Sequence, residues 1–473
     1  MTTSGGRSRE AAWLARLLIF QSFAYNLSGS RPESTGMNKR RHLIPRSIVL
    51  ELAFFLLLLA PWAVGSPVDF NPIIPHSIGV NIHFLSPKPG EMQMLAACGA
   101  RWARMDFVWE EIEKAPLQYD FSKYDNLVDT LESYGISPYF ILDYYDKLYD
   151  NGMSPYTEEG RRAFAQWASA SVEHFQGRGI IWEMYNEPNY GFWRPKPNVH
   201  DYVMLALEVG EAIRTAAPGE VYIGPAGAVI DFGFLEACFK AGLLNYWSAV
   251  SVHPYRQRDP ESVAEEFHKL RQLISAYATP EKQVPIIAGE WGYSSTWNWQ
   301  GMDEVKQGKL LAREFLNNLA SGVPLTIWYD WHDDGPDPKD PEFHSGLVRF
   351  PYQPDSPQVY SPKPAYFALK TLTSVLNGYR FSQRLAVGSP DDYVLLFTKK
   401  KDVRLVAWTT SSAERRVVIP ASRGRFSIKD HLGQSLGLAR VHKGRLGITL
   451  TDAPQYLAPK RPNKILQKTA GVR

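Results

Sequence analysis

The sequence predicts an α/β protein: a (β/α)8 TIM barrel followed by a small C-terminal antiparallel β domain. Three observations lead there. From residue 78, short β-branched or aromatic runs alternate with amphipathic segments, the pattern of a parallel sheet with crossover helices. The runs number eight, enough to close a barrel. After Gly378 the amphipathic segments stop, and short alternating runs separated by turn residues take over.

In order, the eight strands are expected at Ile78–Phe84, Arg101–Trp109, Ile136–Tyr144, Ile180–Asn186, Val221–Ala226, Ser248–Tyr255, Val284–Trp291 and Pro324–Trp331. The segments between them have helical periodicity. Tyr124, Leu127, Val128, Leu131 and Tyr134 share one face, with Ser122 placed to cap the start and Gly135 to end the helix. Phe164, Trp167, Ala168 and Phe175 repeat the arrangement before Gly177, and the segments 260–278 and 303–320 are equally periodic. A final helix over 364–377 is closed by Gly378. An open dinucleotide-binding sheet is disfavoured, because no Gly-x-Gly-x-x-Gly follows the first strand. The barrel is thus assigned to 66–378 and the β domain to 379–459, with strands at Tyr393–Thr398, Arg404–Thr409, Arg415–Ile419 and Gly447–Leu450. The basic tail 460–473 is expected to fray into solvent.

Ahead of the barrel, residues 48–65 form an apolar run behind Lys39, Arg40, Arg41 and Arg46 that ends in small residues, the layout of a secretory signal peptide. The expectation is a signal over 37–65, cleaved after Gly65, and a secreted protein, extracellular or periplasmic. A membrane anchor retained at 48–65 is the alternative. Residues 1–36 read as an extension or a mis-assigned start, since Met37 directly precedes the basic run.

Composition narrows the partner. The 473 residues are 44% hydrophobic and 21% charged with a net charge of +3, which gives no nucleic-acid footprint. With only Cys98 and Cys238, neither a disulfide framework nor a Cys-based zinc site is available. The two fall on opposite sides of the predicted ring, so both are expected free and buried. The 14 Trp, 24 Tyr and 23 Phe exceed what charge chemistry would use and suit the flat faces of sugars, although core packing takes most of them.

A barrel of this kind works at the C-terminal ends of its strands. Strand four ends Trp182-Glu183-Met184-Tyr185-Asn186-Glu187-Pro188-Asn189, and strand seven ends Ala288-Gly289-Glu290-Trp291. Two carboxylates at one mouth are what glycosidic cleavage needs: a proton donor for the leaving oxygen and an anion for the cationic anomeric carbon. Asp106, Asp143 and Asp330 also stand near strand ends as rivals. Arg104, near the end of strand two, would hold a neighbouring carboxylate ionised, or would merely neutralise Glu183.

Asn186-Glu187-Pro188 on strand four with Glu290 on strand seven resembles glycoside hydrolase clan A. The longer run from Asn186 through Tyr190, Gly191, Phe192, Trp193, Arg194 and Pro195 is similar to family 39, and more distantly to the family 5 cellulases. The resemblance covers most of 78–378. It implies a retaining glycoside hydrolase acting on a β-linked glycan or glycoside, with Glu187 as general acid/base and Glu290 as nucleophile. It further implies that Arg104 and Tyr255 support the nucleophile, that His253 is its neighbour, that Asn186 binds the sugar 2-hydroxyl, and that Trp331 is the platform under the reacting sugar. Trp193 and Trp291, with Trp109, Tyr144, Tyr145, Trp297, Trp299 and Trp328, are candidates for the rest of the cleft. The alternative is an inactive glycan-binding protein on the same barrel, which would need only the aromatic platforms. The chemistry calls for no cofactor and no metal. The acidic 332–364 loop lacks the spacing of a calcium loop. The expected partner is a carbohydrate, with no nucleic acid and no stable protein partner.

Overall fold

A computed structural model describes residues 70–472; the 1–36 extension and the 37–65 signal lie outside the described residues. Eight parallel strands close into a barrel: β1 (Ile78–Asn81), β2 (Trp102–Val108), β3 (Ser137–Asp143), β4 (Ile181–Met184), β5 (Val221–Ala228), β6 (Val250–His253), β7 (Ile286–Trp291) and β8 (Thr326–Trp328). Each pairs with its sequence neighbours, and β1 pairs with β8 to complete the ring. Strand alternation sends Tyr139, Ile181, Ile223, Ile287 and Ile327 into the barrel interior, where they form one apolar cluster.

The outer layer is α1 (Glu91–Ala97), α2 (Ser122–Ser133), α3 (Glu158–His174), α4 (Val199–Ala216), α5 (Phe232–Lys240), α6 (Ala264–Tyr277), α7 (Glu304–Ala320) and α8 (Pro364–Val375). Four begin with side-chain caps that satisfy backbone N–H groups: Thr157, Asn198, Asp231 and Asp303. The cap expected from Ser122 is not made; Ser122 is already helical, and Asp120 accepts its N–H instead. Gly135, at φ 67°, ends α2 in the left-handed conformation that a residue without Cβ adopts at least cost.

The chain then builds β9 (Arg380–Arg384), β10 (Asp392–Lys399), β11 (Asp402–Thr409), β12 (Arg415–Pro420), β13 (Arg425–Lys429), β14 (Ser435–Arg440), β15 (Arg445–Leu450) and β16 (Gln455–Pro459). Six form an antiparallel sheet in the order β9-β10-β11-β16-β13-β14, and β12 pairs with β15. Val394, Leu405, Val417, Phe426, Leu446 and Leu457 belong to the core of this domain. The tail expected to fray instead forms α9 (Lys464–Thr469). Asn463 caps it and Leu466 is buried against the domain core, so one apolar side chain and one cap hold a segment that composition alone marks as solvated.

A buried polar knot joins the domains. Glu261 accepts both Arg313 Nε and Nη2, at 2.8 and 2.7 Å, and also the indole N–H of Trp408 on β11, at 2.6 Å. Cys98 and Cys238 are free and buried, and burial pushes both thiols up, Cys98 to about 11.

Candidate active site

Strand register gathers the site. β2 places Arg104 opposite Asn81 of β1 and Tyr139 of β3, and Glu183 lies two residues beyond the Tyr139 partner Ile181 on the next strand, β4. Arg104 is fully buried and every arm of its guanidinium is used: Nε to Glu183 at 2.8 Å, Nη1 to Glu290 at 2.5 Å and Nη2 to Asn186 Oδ1 at 2.9 Å. It therefore neutralises Glu183 and also holds Glu290. Tyr139 donates its hydroxyl to the other Glu183 oxygen at 2.6 Å, which completes the pairing of that buried charge.

Glu290 accepts a second strong bond, from the Tyr255 hydroxyl at 2.8 Å. Burial pushes its carboxyl up, but the neighbouring His253, Arg104 and the Tyr255 hydroxyl outweigh this and hold it below the usual carboxylate range. Glu290 is therefore an anion at neutral pH. Glu187 follows the end of β4 with φ 43°, and its N–H bonds to Ala226 O on β5 at 2.9 Å. One of its oxygens lies 3.0 Å from His253 Nδ1. His253 Nε2 faces Arg104 Nη2 at 3.3 Å. A guanidinium only donates, so in the neutral ring Nε2 supplies the lone pair and Nδ1 carries the proton that it donates to Glu187. Carboxylate oxygens of Glu187 and Glu290 and a ring nitrogen of His253 all lie within 4.8 Å of one another.

These groups open on a cleft of about 550 Å³ walled by Tyr144, Tyr190, Phe192, Trp297, Tyr329 and Glu342. A larger hollow of about 1200 Å³ lies at the opposite end of the barrel, where Val221 and Ile286 begin their strands, and holds no carboxylate pair.

Six of the expected site residues converge here: Glu187, Glu290, Arg104, Asn186, His253 and Tyr255. The three expected tryptophans do not. Strict alternation from Ile287 would send Trp291 inward, but the pairing of β7 with β8 is irregular between Ala288 and Trp291, so Glu290 reaches the cleft while the Trp291 indole packs beside Tyr293 and Arg256. Trp193 packs on Tyr185 and Tyr202. The backbone of Trp331 bonds to Asn81 O, and its indole points outward to donate to Glu91 at 3.0 Å. All three are buried. Tyr329, two residues earlier, supplies the ring at the strand-eight position of the cleft, edge-on to His83.

His83 and Asn81 also went unread, though polar residues at alternate positions near the end of an otherwise apolar strand one were a legible signal. His83 Nε2 lies 3.5 Å from the buried Asp330. Burial opposes a charge on His83, but Asp330, Asp334 and Asp106 prevail and push the ring up to about 9. Burial pushes Asp330 up to about 7, with His83 pulling the other way. Asp143 is fully buried, with neither carboxylate oxygen hydrogen-bonded; burial and the neighbouring Asp106 charge push it well above the usual carboxylate range.

His83, Asp330 and Asp334 could each bring one donor atom to a metal ion. In the acidic loop, Asp333 pairs with the buried Lys363 at 2.6 Å, while Asp337 and Asp340 accept N–H groups of Lys339 and Glu342. Those three acids are accounted for by the loop's own turns.

The sequence model of the family described as Cellulase (glycosyl hydrolase family 5) matches residues 75–335, more than half of the chain. Among solved structures, a family 39 glycoside hydrolase from Bacteroides cellulosilyticus WH2 is similar at 26% identity and a TM-score of 0.70, covering 82% of this chain and 81% of its own. A monomeric beta-xylosidase from Caulobacter crescentus CB15 is similar in fold at 18% identity and 0.58, covering 84% and 98%. A GH30 endoxylanase from Clostridium papyrosolvens C71 is similar in fold at 13% and 0.59, also covering 84% and 98%. No curated protein matches the chain significantly.

Proposed function

The chain belongs to the cellulase family, glycosyl hydrolase family 5, and is a retaining glycoside hydrolase; on that premise we propose that Glu290 is its nucleophile and Glu187 its general acid/base, acting on a β-linked glycan or glycoside. One observation carries the assignment: an oxygen of each carboxylate comes within 4.8 Å of the other across one cleft, and Arg104 and Tyr255 bond to Glu290 and not to Glu187. Retaining enzymes keep their carboxyl groups about 5–5.5 Å apart, whereas inverting ones need about 6.5–9.5 Å to admit a water.

Glu290 attacks the anomeric carbon while Glu187 gives its proton to the leaving oxygen, and a glycosyl ester forms on Glu290. Glu187, now a base, takes a proton from water; that water's oxygen breaks the ester and releases the sugar with its configuration retained. The Nδ1–H of His253 fixes which Glu187 oxygen faces the leaving group. Asn186 commits its oxygen to Arg104, leaving its amide N–H groups to meet the 2-hydroxyl of the reacting sugar, a contact that strengthens as the oxocarbenium ion develops.

The test is kinetic and stereochemical. Glu290→Gln loses turnover by about 10⁴-fold or more. Glu187→Ala loses about 10²- to 10⁴-fold on poor leaving groups but keeps part of its activity on activated aryl β-glycosides, where azide restores the rate. Product NMR that shows inversion, or azide failing with both variants, refutes the roles.

The apolar run at 48–65 behind a basic segment supports a secreted enzyme that meets its glycan outside the cytoplasm. N-terminal sequencing of the mature protein tests this, with Ser66 as the expected first residue.

A further inference from the structure

The overall charge of +3 conceals two opposite ones. Residues 66–378 carry 25 Lys and Arg against 40 Asp and Glu, whereas residues 379–473 carry 19 against 6. In the β domain this excess has a shape. Arg423, Arg425, Arg440, Lys443, Lys460 and Arg461 line a groove of about 900 Å³, with no acid among its lining residues. The domain's ion pairs lie elsewhere, at Lys309–Asp452 and Arg415–Asp392.

Strand pairing forces the crowding. Arg425 on β13 stands directly opposite Arg440 on β14. Lys460, just beyond β16, bonds its N–H to Arg425 O, so a third cation flanks the pair on the other side. Like charges directly opposed across a sheet are destabilising, and the fold brings three together without a carboxylate to separate them. An anion bound between them removes that repulsion.

We infer that this groove binds an anionic polysaccharide, one bearing carboxylates or sulfates along its chain, and so tethers the barrel near its substrate. The occupant follows from what lines the groove. Its only ring is the His442 imidazole, which leaves little on which successive nucleic-acid bases could stack. Its one apolar side chain, Val441, is buried and cannot insert into a bilayer. A run of fixed cations in a concave groove suits a flexible polyanion and makes binding dependent on salt. The barrel's own negative excess keeps such a polymer from lying across the catalytic cleft.

Binding of the full chain is measured to polygalacturonate and to dextran sulfate, which separate the carboxylate from the sulfate source, with neutral dextran as control. Phosphatidylserine vesicles form a further arm because Leu436 and Leu438 are exposed on β14; duplex DNA forms another. The expected result is saturable binding to at least one of the two polysaccharides that weakens as salt rises from about 50 to about 200 mM. Arg425→Glu/Arg440→Glu/Lys460→Glu should weaken it at least about tenfold with aryl β-glycoside turnover unchanged, and Lys400→Glu/Lys401→Glu/Lys468→Glu, equal in charge but outside the groove, should leave it within about twofold. If the reversal variant loses its thermal transition, the corresponding triple Gln variant takes its place. The inference is overturned if neither polysaccharide binds at about 0.1 M salt, if both triple variants lose binding equally, or if vesicles or DNA bind more tightly. Loss of turnover in the wild type bears on the barrel chemistry and not on the groove.

Discussion

Arg104 Nη1 meets Glu290 Oε2 at 2.5 Å with both side chains buried, while the same guanidinium is bound through Nε to Glu183. A single cation thus serves a structural and a reactive carboxylate. Glu290, held low, loses its charge only well into acid. In Arg104→Gln the Glu290 carboxyl keeps the cost of burial and loses its counter-ion, so the acid limb of kcat/KM should move to higher pH by about a unit or more. A pH–rate profile on an aryl β-glycoside measures this. An unmoved limb would mean that Arg104 serves Glu183 alone.

The cleft position expected of Trp331 is filled by Tyr329, and Trp331 packs in the core instead. Tyr329→Ala should lower kcat/KM by about tenfold while leaving thermal stability nearly unchanged, because the ring faces the cleft. Trp331→Ala should lower stability by about 3–5 kcal/mol through the cavity it leaves. Denaturant melts and steady-state kinetics on both variants separate the roles.

His83 carries a pH signature in stability. Its folded-state value of about 9 exceeds the 6.5 of a free imidazole, so the folded protein binds this proton more tightly. The stabilisation is complete below pH 6.5 and is lost as pH rises to about 9. Thermal midpoints should fall across that window in the wild type, and His83→Gln should lack this component. Equal slopes for the two proteins would refute the His83–Asp330 coupling.

Glu261→Gln should cost about 1.5–3 kcal/mol, since Arg313 loses its bidentate carboxylate but keeps Asp259 at 2.8 Å. The loss should appear as one cooperative transition by both calorimetry and near-UV circular dichroism, because the same carboxylate also binds Trp408 of the β domain.

How legible each part was follows from its locality. The barrel was legible because eight strand signals and their helices are written within each segment, and Glu187, Glu290, Arg104 and Tyr255 sit at or beside the strand ends where such a fold concentrates polar side chains. The tryptophans misled because being at the mouth in sequence is not the same as facing it. For Trp291 strict alternation from Ile287 would have pointed the indole inward, and the irregular pairing between Ala288 and Trp291 that reverses it leaves no mark in the sequence. For Trp193 and Trp331 the direction depends on Tyr185, Tyr202 and Glu91, contacts made by distant segments. In the β domain four strands were read and four missed: β9 and β16 have no clear apolar alternation of their own and are held by their partners' ladders, whereas Phe426 and Ile428 on β13 and Leu436 and Leu438 on β14 alternate over only two apolar positions each, a signal present but short.

Glu187 occupies a left-handed backbone conformation that a side chain with a Cβ enters at a cost of about 1 kcal/mol or more. It also keeps a second acid beside the anionic Glu290. The molecule thus sacrifices durability at the one position where it needs a movable proton. Glu187→Asn, which tolerates that conformation and carries no charge, should melt at or above the wild-type temperature while turning over almost nothing. An enzyme of this design is expected to be hardier dead than alive.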